Sequence, residues 1–164
     1  MLAIPPILTL VPMFILVRGF GLINTLWGLI IPYIATGEAL AIFVLRTFFA
    51  GLPEELFEAA TIDGASQLQA FVRIALPLVR PALGTVAIIQ LLAVWNDYVW
   101  PLLVVTDDSV KTLTVGLVGL HGRFETPWGE LMAGYVLASL PVLILFFFTV
   151  RQFVTGLTSG ALKL

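Results

Sequence analysis

The chain has 164 residues, of which 60% are hydrophobic and 11% charged, with a mean hydropathy of +1.08 and a formal net charge of −2. A soluble domain carries about 25% charged residues, and a chain this apolar has too little polar surface to cover a fold in water, so lipid is the expected solvent. No basic block points to nucleic acid, and the absence of cysteine excludes disulfides and thiolate metal sites.

Crossing the hydrocarbon core takes about 20 apolar residues at about 1.5 Å rise each. The opening MLAIPPILTLVPM has no positive n-region and no small-residue cleavage site, so no cleaved signal peptide is expected. The first candidate span, Leu2–Val17, is short, carries Pro5 and Pro6, and reads as part of a longer helix. After the short connection Arg18–Thr25 comes the second, Leu26–Leu45, interrupted only by Glu38, which reads as a kink or a pairing point with a neighbouring helix. A long polar connection, Arg46–Arg80, leads to the third span, which runs from Pro81 to about Val105 and carries Asn96 and Asp97 between Trp95 and Tyr98. The connection Thr106–Glu130 is acidic and holds His121, Arg123 and Glu125 beside Gly119 and Gly122; a lone His in such a loop reads as solvated. The fourth span, Leu131–Val150, has no charge in its 20 residues. Pro141 is expected to kink it, and Gly134 with Ala138 forms a small-xxx-small pair suited to close helix packing.

These spans predict one all-α membrane domain over 1–164, with about four transmembrane helices. Alternation puts Arg46, Arg73, Arg80, Arg151 and Lys163 on one side and Arg18, Lys111 and Arg123 on the other. The excess places the middle loop, the C-terminus and residue 1 on the cytoplasmic side.

The loop over 52–80 carries the most local information. Pro53 before Glu54 and Glu55 is a helix start, with acids where the helix dipole favours them. Leu56, Phe57 and Ala60 then share a face, and Asp63-Gly64 is a stop because glycine adopts the left-handed conformation freely. Ser66 with Gln69 matches a capping box for a second helix. In it Leu68, Phe71, Val72, Ala75 and Leu76 form a packing stripe, and Pro77 is expected to close it. Helices this short need packing from elsewhere, so the loop reads either as a knob entering a partner's groove or as a surface segment lying on the membrane.

The spacing Glu58-Ala59-Ala60, three residues, Gly64, nine residues, Ile74, one residue, Leu76-Pro77 resembles the EAA loop of ABC-importer permeases. Wider stretches, NTLWGLIIPY (24–33), IFVLRTFFAGLPEELFEAATIDGAS (42–66), VWNDYVWPLLV (94–104) and QFVTGLTSGALK (152–163), are similar to carbohydrate-uptake permeases of the maltose and glycerol-phosphate type. That resemblance implies a prokaryotic inner-membrane permease subunit importing a sugar, oligosaccharide or related polyol. It implies a coupling loop in which Glu58, Ala59 and Ala60 lie on the ATPase-docking helix, Gly64 at its turn, and Ile74, Leu76 and Pro77 join it to the third span. It further implies an ATPase subunit dimer that binds ATP and Mg, a second permease subunit, identical or not, and an extracytoplasmic solute-binding protein docking near the outer loop. The family has six spans, so the chain matches the C-terminal part of such a permease.

Asn96 and Asp97 have two readings, as lining of the translocation pathway or as glue between helices, and the aromatics around them likewise offer sugar-stacking faces or an interfacial belt. Glu38 is not read as a pathway group. No H-E-x-x-H, G-x-S-x-G or Walker-A pattern is present, so no catalysis and no cofactor are expected in this chain. Three other readings stand beside the sugar importer. They are an importer of a non-sugar solute, a shortened permease that transports nothing, and a membrane enzyme, for which Glu38 and Asp97 lack a His partner.

Overall fold

The computed structural model describes residues 5–120 and 126–161, so the expectations on His121, Gly122, Arg123, Glu125 and Lys163 lie outside the described residues. In chain order the elements are α1 (Pro6–Gly19), α2 (Trp27–Ala50), α3 (Glu55–Ile62), α4 (Gln67–Ala70), a π-helical turn (Phe71–Ala75), α5 (Leu76–Leu78), α6 (Arg80–Trp95), α7 (Val99–Val104), α8 (Leu113–Gly119) and α9 (Trp128–Ala161). Every element among the described residues is helical, as lipid demands of a segment that must satisfy its own backbone hydrogen bonds.

Two described helices are long and apolar enough to cross a membrane: α2, with 24 residues, and the Trp128–Phe148 part of α9. A third qualifies if Gln67–Leu78 and Arg80–Trp95, bent by 65°, are one span. The sequence pattern predicted four. The first predicted span is the 14-residue α1, about 21 Å long at 1.5 Å per residue and short of a core of about 30 Å. The third predicted span is not one helix, because α6 stops at Trp95 and α7 begins at Val99. In contrast, α9 continues past Pro141 and extends beyond both ends of the predicted fourth span.

The chain divides into two units, Met1–Ala39 with Gln90–Phe147, and Leu40–Ile89 with Phe148–Leu164. In the first, Val17 of α1, Leu29 of α2 and Trp100 and Val104 of α7 form a buried core with Val105. Lipid is as apolar as these side chains, so their association rests on close packing and hydrogen bonds rather than on expelling water. Gly28 supplies the close approach: a Cβ there would stand 2.3 Å from the Leu22 carbonyl oxygen and 2.9 Å from Val104 Cγ1. Over that bare backbone the buried Trp100 indole N–H donates to the Gly28 carbonyl at 3.2 Å.

Turn chemistry sets the connection into α2. Gly21 and Asn24 have φ of 68° and 58°, which turn the chain tightly after α1. The Thr25 hydroxyl donates to Leu22 O and accepts from Gly28 N, starting α2. Of the predicted small-residue pair, Gly134 makes a close contact: a Cβ on it would meet Leu117 Cδ2 at 2.3 Å, so α8 lies against α9 there.

Candidate functional site

The second unit contains the loop. Its α3 ends as the sequence predicts, with Gly64 at φ 81°. Gly64 N–H donates to Thr61 O at 3.0 Å and Ala65 N–H to Ala60 O at 2.9 Å, the paired bonds of a Schellman turn. Two residues on, Ser66 and Gln69 form the full capping box, Ser66 N–H donating to Gln69 Oε1 at 2.8 Å and Gln69 N–H to Ser66 Oγ at 3.3 Å. Two short helices are thereby locked around Gly64, and α3 touches α4.

On α3, Glu58 and Ala59 are exposed while Ala60 is buried. Three consecutive residues of one helical turn therefore carry an exposed acid and methyl group beside a buried methyl group. Ile62 is 86% exposed and Leu68 71% exposed, which puts apolar side chains on both sides of the turn. Ile74, in the π-helical turn, and Leu76 and Pro77, in α5, are partly buried.

Two expectations for the second helix change. Pro77 does not close it: the helix runs on through Leu78 and bends before α6. The predicted stripe also splits, leaving Leu68, Phe71 and Val72 exposed while Ala75 is buried. The cause is the π-helical turn, where Leu76 N–H donates to Phe71 O, five residues back. A wider turn shifts the phase of a 3.6-residue pattern, so residues before and after it no longer share a face. Phe71 instead stacks on Phe49 at the end of α2, ring centroids 5.9 Å apart.

Asn96 and Asp97 belong to the other unit and occupy the break between α6 and α7. Asp97 Oδ2 accepts from the Tyr33 hydroxyl at 2.9 Å, and its Oδ1 accepts from Val99 N–H at 3.0 Å and Trp100 N–H at 3.4 Å. One carboxylate thus ties α2 to the break and serves the first amides of α7. Exposed Asn96 donates to Leu92 O at 2.8 Å, within its own helix. The Thr114 hydroxyl of α8 donates to the freed Trp95 carbonyl at 3.0 Å. The backbone groups released where a helix breaks need partners, and these bonds supply them to Val99, Trp100 and Trp95. Trp95 and Tyr98 flank the break, with Trp95 37% exposed.

Three participants escape the sequence reading. Gln90 lies against Gly37, where a Cβ would stand 2.5 Å from its Nε2, and donates a long 3.4 Å bond to Tyr33 O. Asn24 Oδ1 accepts from Thr106 N–H at 2.6 Å, Thr106 Oγ1 at 3.1 Å and Asp107 N–H at 3.0 Å, clasping the turn before α2 to the end of α7. Tyr33 is legible only as the one phenol in an otherwise apolar stretch. Nearby, hydrogen bonds from the Ser109 N–H and hydroxyl hold Asp107 below the usual carboxylate range. Asp108 pairs with Lys111 on the surface. Glu38, expected at a kink or beside a partner, is exposed in a continuous α2 and has no hydrogen-bond or ion-pair partner among the described residues.

The family described as "Binding-protein-dependent transport system inner membrane component" matches residues 1–159. Similar curated proteins include the probable ABC transporter permease protein YurM of Bacillus subtilis, 35% identical over 99% of this chain and 54% of that protein. The arabinooligosaccharides transport system permease protein AraQ of Halalkalibacterium halodurans is 39% identical over 99% of this chain and 57% of its own length. The trehalose/maltose transport system permease protein MalG of Thermococcus litoralis is 38% identical, with 92% and 55% covered. The chain thus spans about half the length of the curated relatives it matches. Among solved structures, a bacterial ABC transporter involved in import of the acidic polysaccharide alginate superposes with a TM-score of 0.68 at 26% identity, covering 87% of this chain and 55% of that one.

Proposed function

Because the chain belongs to the family of binding-protein-dependent transport system inner membrane components, we propose that it is the membrane-spanning permease part of an ATP-driven importer for a sugar, oligosaccharide or related polyol. Support for the solute class comes from relatives whose names specify arabinooligosaccharides, trehalose and maltose. The observation that carries the coupling role is the locked turn at Gly64, which holds exposed Glu58 and Ala59 next to exposed Ile62 and Leu68. In this reading a separate ATPase dimer binds ATP and Mg and receives that knob. Ala59 allows close approach, and Glu58 accepts hydrogen bonds or pairs with a cation on the ATPase. Ala60 packs the knob from inside, while Ile74, Leu76 and Pro77 connect it to α6, so closure of the ATPase dimer levers the bend before α6.

The loop and the C-terminus lie in the cytoplasm, and the 106–130 connection faces a solute-binding protein outside. A second permease subunit completes the solute path. At the break in the α6–α7 stretch, Asn96 keeps an amide oxygen with no described partner and is the group that meets solute. Asp97, with both oxygens engaged, holds the break in shape.

Purification of the membrane assembly tests the docking assignment. Gly64→Pro cannot adopt a φ of 81°, and Glu58→Lys reverses the exposed charge. Both variants are expected to lose at least tenfold of the co-purifying ATPase while the helical circular dichroism of the spans is retained. Full ATPase association and coupled hydrolysis in both variants would overturn it. Uptake measured against a panel of sugars, polyols, phosphate and amino acids separates the sugar reading from import of another solute.

A further inference from the structure

Glu38 is an acid at the middle of a candidate span with no hydrogen-bond or ion-pair partner among the described residues. It is the twelfth of the 24 residues of α2, about 17 Å from either end at 1.5 Å per residue. The helix cannot rotate to hide it. Gly37 is pressed on Gln90, and Tyr33, one turn earlier on that same face, bonds Asp97. Turning α2 to bury Glu38 would break both contacts. The opposite side, with Ile31, Ile34, Ala35 and Glu38 at helical spacing, is exposed throughout.

Three surroundings compete for that side. Lipid is the least favourable for a carboxylate at mid-depth, which is why intramembrane acids face a bundle interior or a water-filled cavity. A dry protein surface would have to bring a cation; among the described candidate spans, Arg46 lies in the last turns of α2, Arg73 lies in the loop before the bend, and Arg80 is the first residue of α6. The described spans of a second copy of this chain therefore place no counter-charge at the middle of α2. Water needs no counter-charge, and an ionised carboxylate accepts several hydrogen bonds from water or from hydroxyl groups. We propose that Glu38 faces the water-filled solute path and accepts hydrogen bonds from the hydroxyls of a neutral, polyhydroxylated solute. The inference rests on the permease reading above and adds to it a residue that reading does not use.

The chain has no cysteine, so a single thiol, read on this chain's own band after separation of the subunits, reports on this position without background from the rest of the chain. Glu38→Cys is made in the chain assembled with its partner subunits in proteoliposomes. It is expected to react with a charged methanethiosulfonate reagent, at a rate changed by ATP. Leu137→Cys, on the exposed apolar face of α9, is expected to react only with a membrane-soluble maleimide. Reaction of the thiol at position 38 with the maleimide alone means lipid; reaction with neither reagent means a dry protein contact, and either result overturns the inference. Independently, Glu38→Leu is expected to keep ATPase co-purification and lower uptake of the transported sugar at least tenfold, while Glu38→Gln retains more than Glu38→Leu. A lipid-facing residue would tolerate leucine, so unchanged uptake in Glu38→Leu also overturns the proposal. Because ATPase co-purification is scored separately, failure here leaves the permease reading standing.

Discussion

Asn24 shows how much a single side chain contributes when apolar packing gives little net gain in lipid. It sits at φ 58°, and its one carboxamide oxygen accepts three hydrogen bonds from Thr106 and Asp107. Replacement by alanine removes that acceptor and also puts a Cβ-bearing residue without a compensating polar group into the left-handed region. The expected loss is about 2–3 kcal/mol, combining about 1–2 for the bonds with about 1 for the backbone. Asn24→Gly loses only the bonds, at about 1–2 kcal/mol. Reversible unfolding in mixed detergent micelles, followed by tryptophan fluorescence, resolves the difference; equal losses would mean that the backbone conformation carries none of the effect. From sequence this clasp is legible only as an asparagine suited to a turn, because its partners lie more than 80 positions away. Asp97 is similar: its place beside aromatics is visible in the sequence, but its bond to Tyr33, 64 positions back, is not.

At the scale of elements, two glycines in close contact should respond differently to the same substitution. At Gly28 the added Cβ meets a backbone carbonyl at 2.3 Å, which cannot move without displacing the turn before α2 and the Trp100 bond above it. Gly28→Ala is expected to cost about 2–3 kcal/mol. At Gly134 the atom in the way is Leu117 Cδ2, the far end of a flexible side chain. Gly134→Ala is expected to cost about 1 kcal/mol or less, and Leu117→Ala should absorb most of that in a double-mutant cycle. A larger loss at position 134 than at 28 would contradict this packing. Element types and ends were largely legible, since Gly64 and the Ser66–Gln69 box act within a few residues. The π-helical turn and the α6–α7 break were not. The apolar stripe keeps its helical spacing through the first, and Asn96 and Asp97 at the second read equally well as polar groups within one continuous span; the phase slip and the end of the helix arise from how backbone groups are satisfied.

For the whole molecule, the charge bias makes a directional prediction that cysteine-free chemistry can read. Ser66, in the loop, and Ser109, after α7, are expected on opposite sides of the membrane, with Ser66 cytoplasmic. Thiols introduced at these two positions should react with an impermeant maleimide in vesicles of opposite orientation, and reaction from the same side would mean that the α6–α7 stretch does not cross. The sequence by itself determined that this is a helical membrane chain, where its longest spans lie, and that the 52–80 stretch holds two short helices around Gly64. Those properties follow from composition and from contacts within one or two turns. Only the tertiary structure decided that Asp97 is engaged by Tyr33 and α7, that Ala60 is buried while Glu58 and Ala59 are exposed, and that Glu38 has no partner among the described residues. The physical reason is common to all three. In lipid, hydropathy fixes which segments are inserted, but helix rotation and distant hydrogen bonds decide which polar group is satisfied and which is left for water, solute or another subunit.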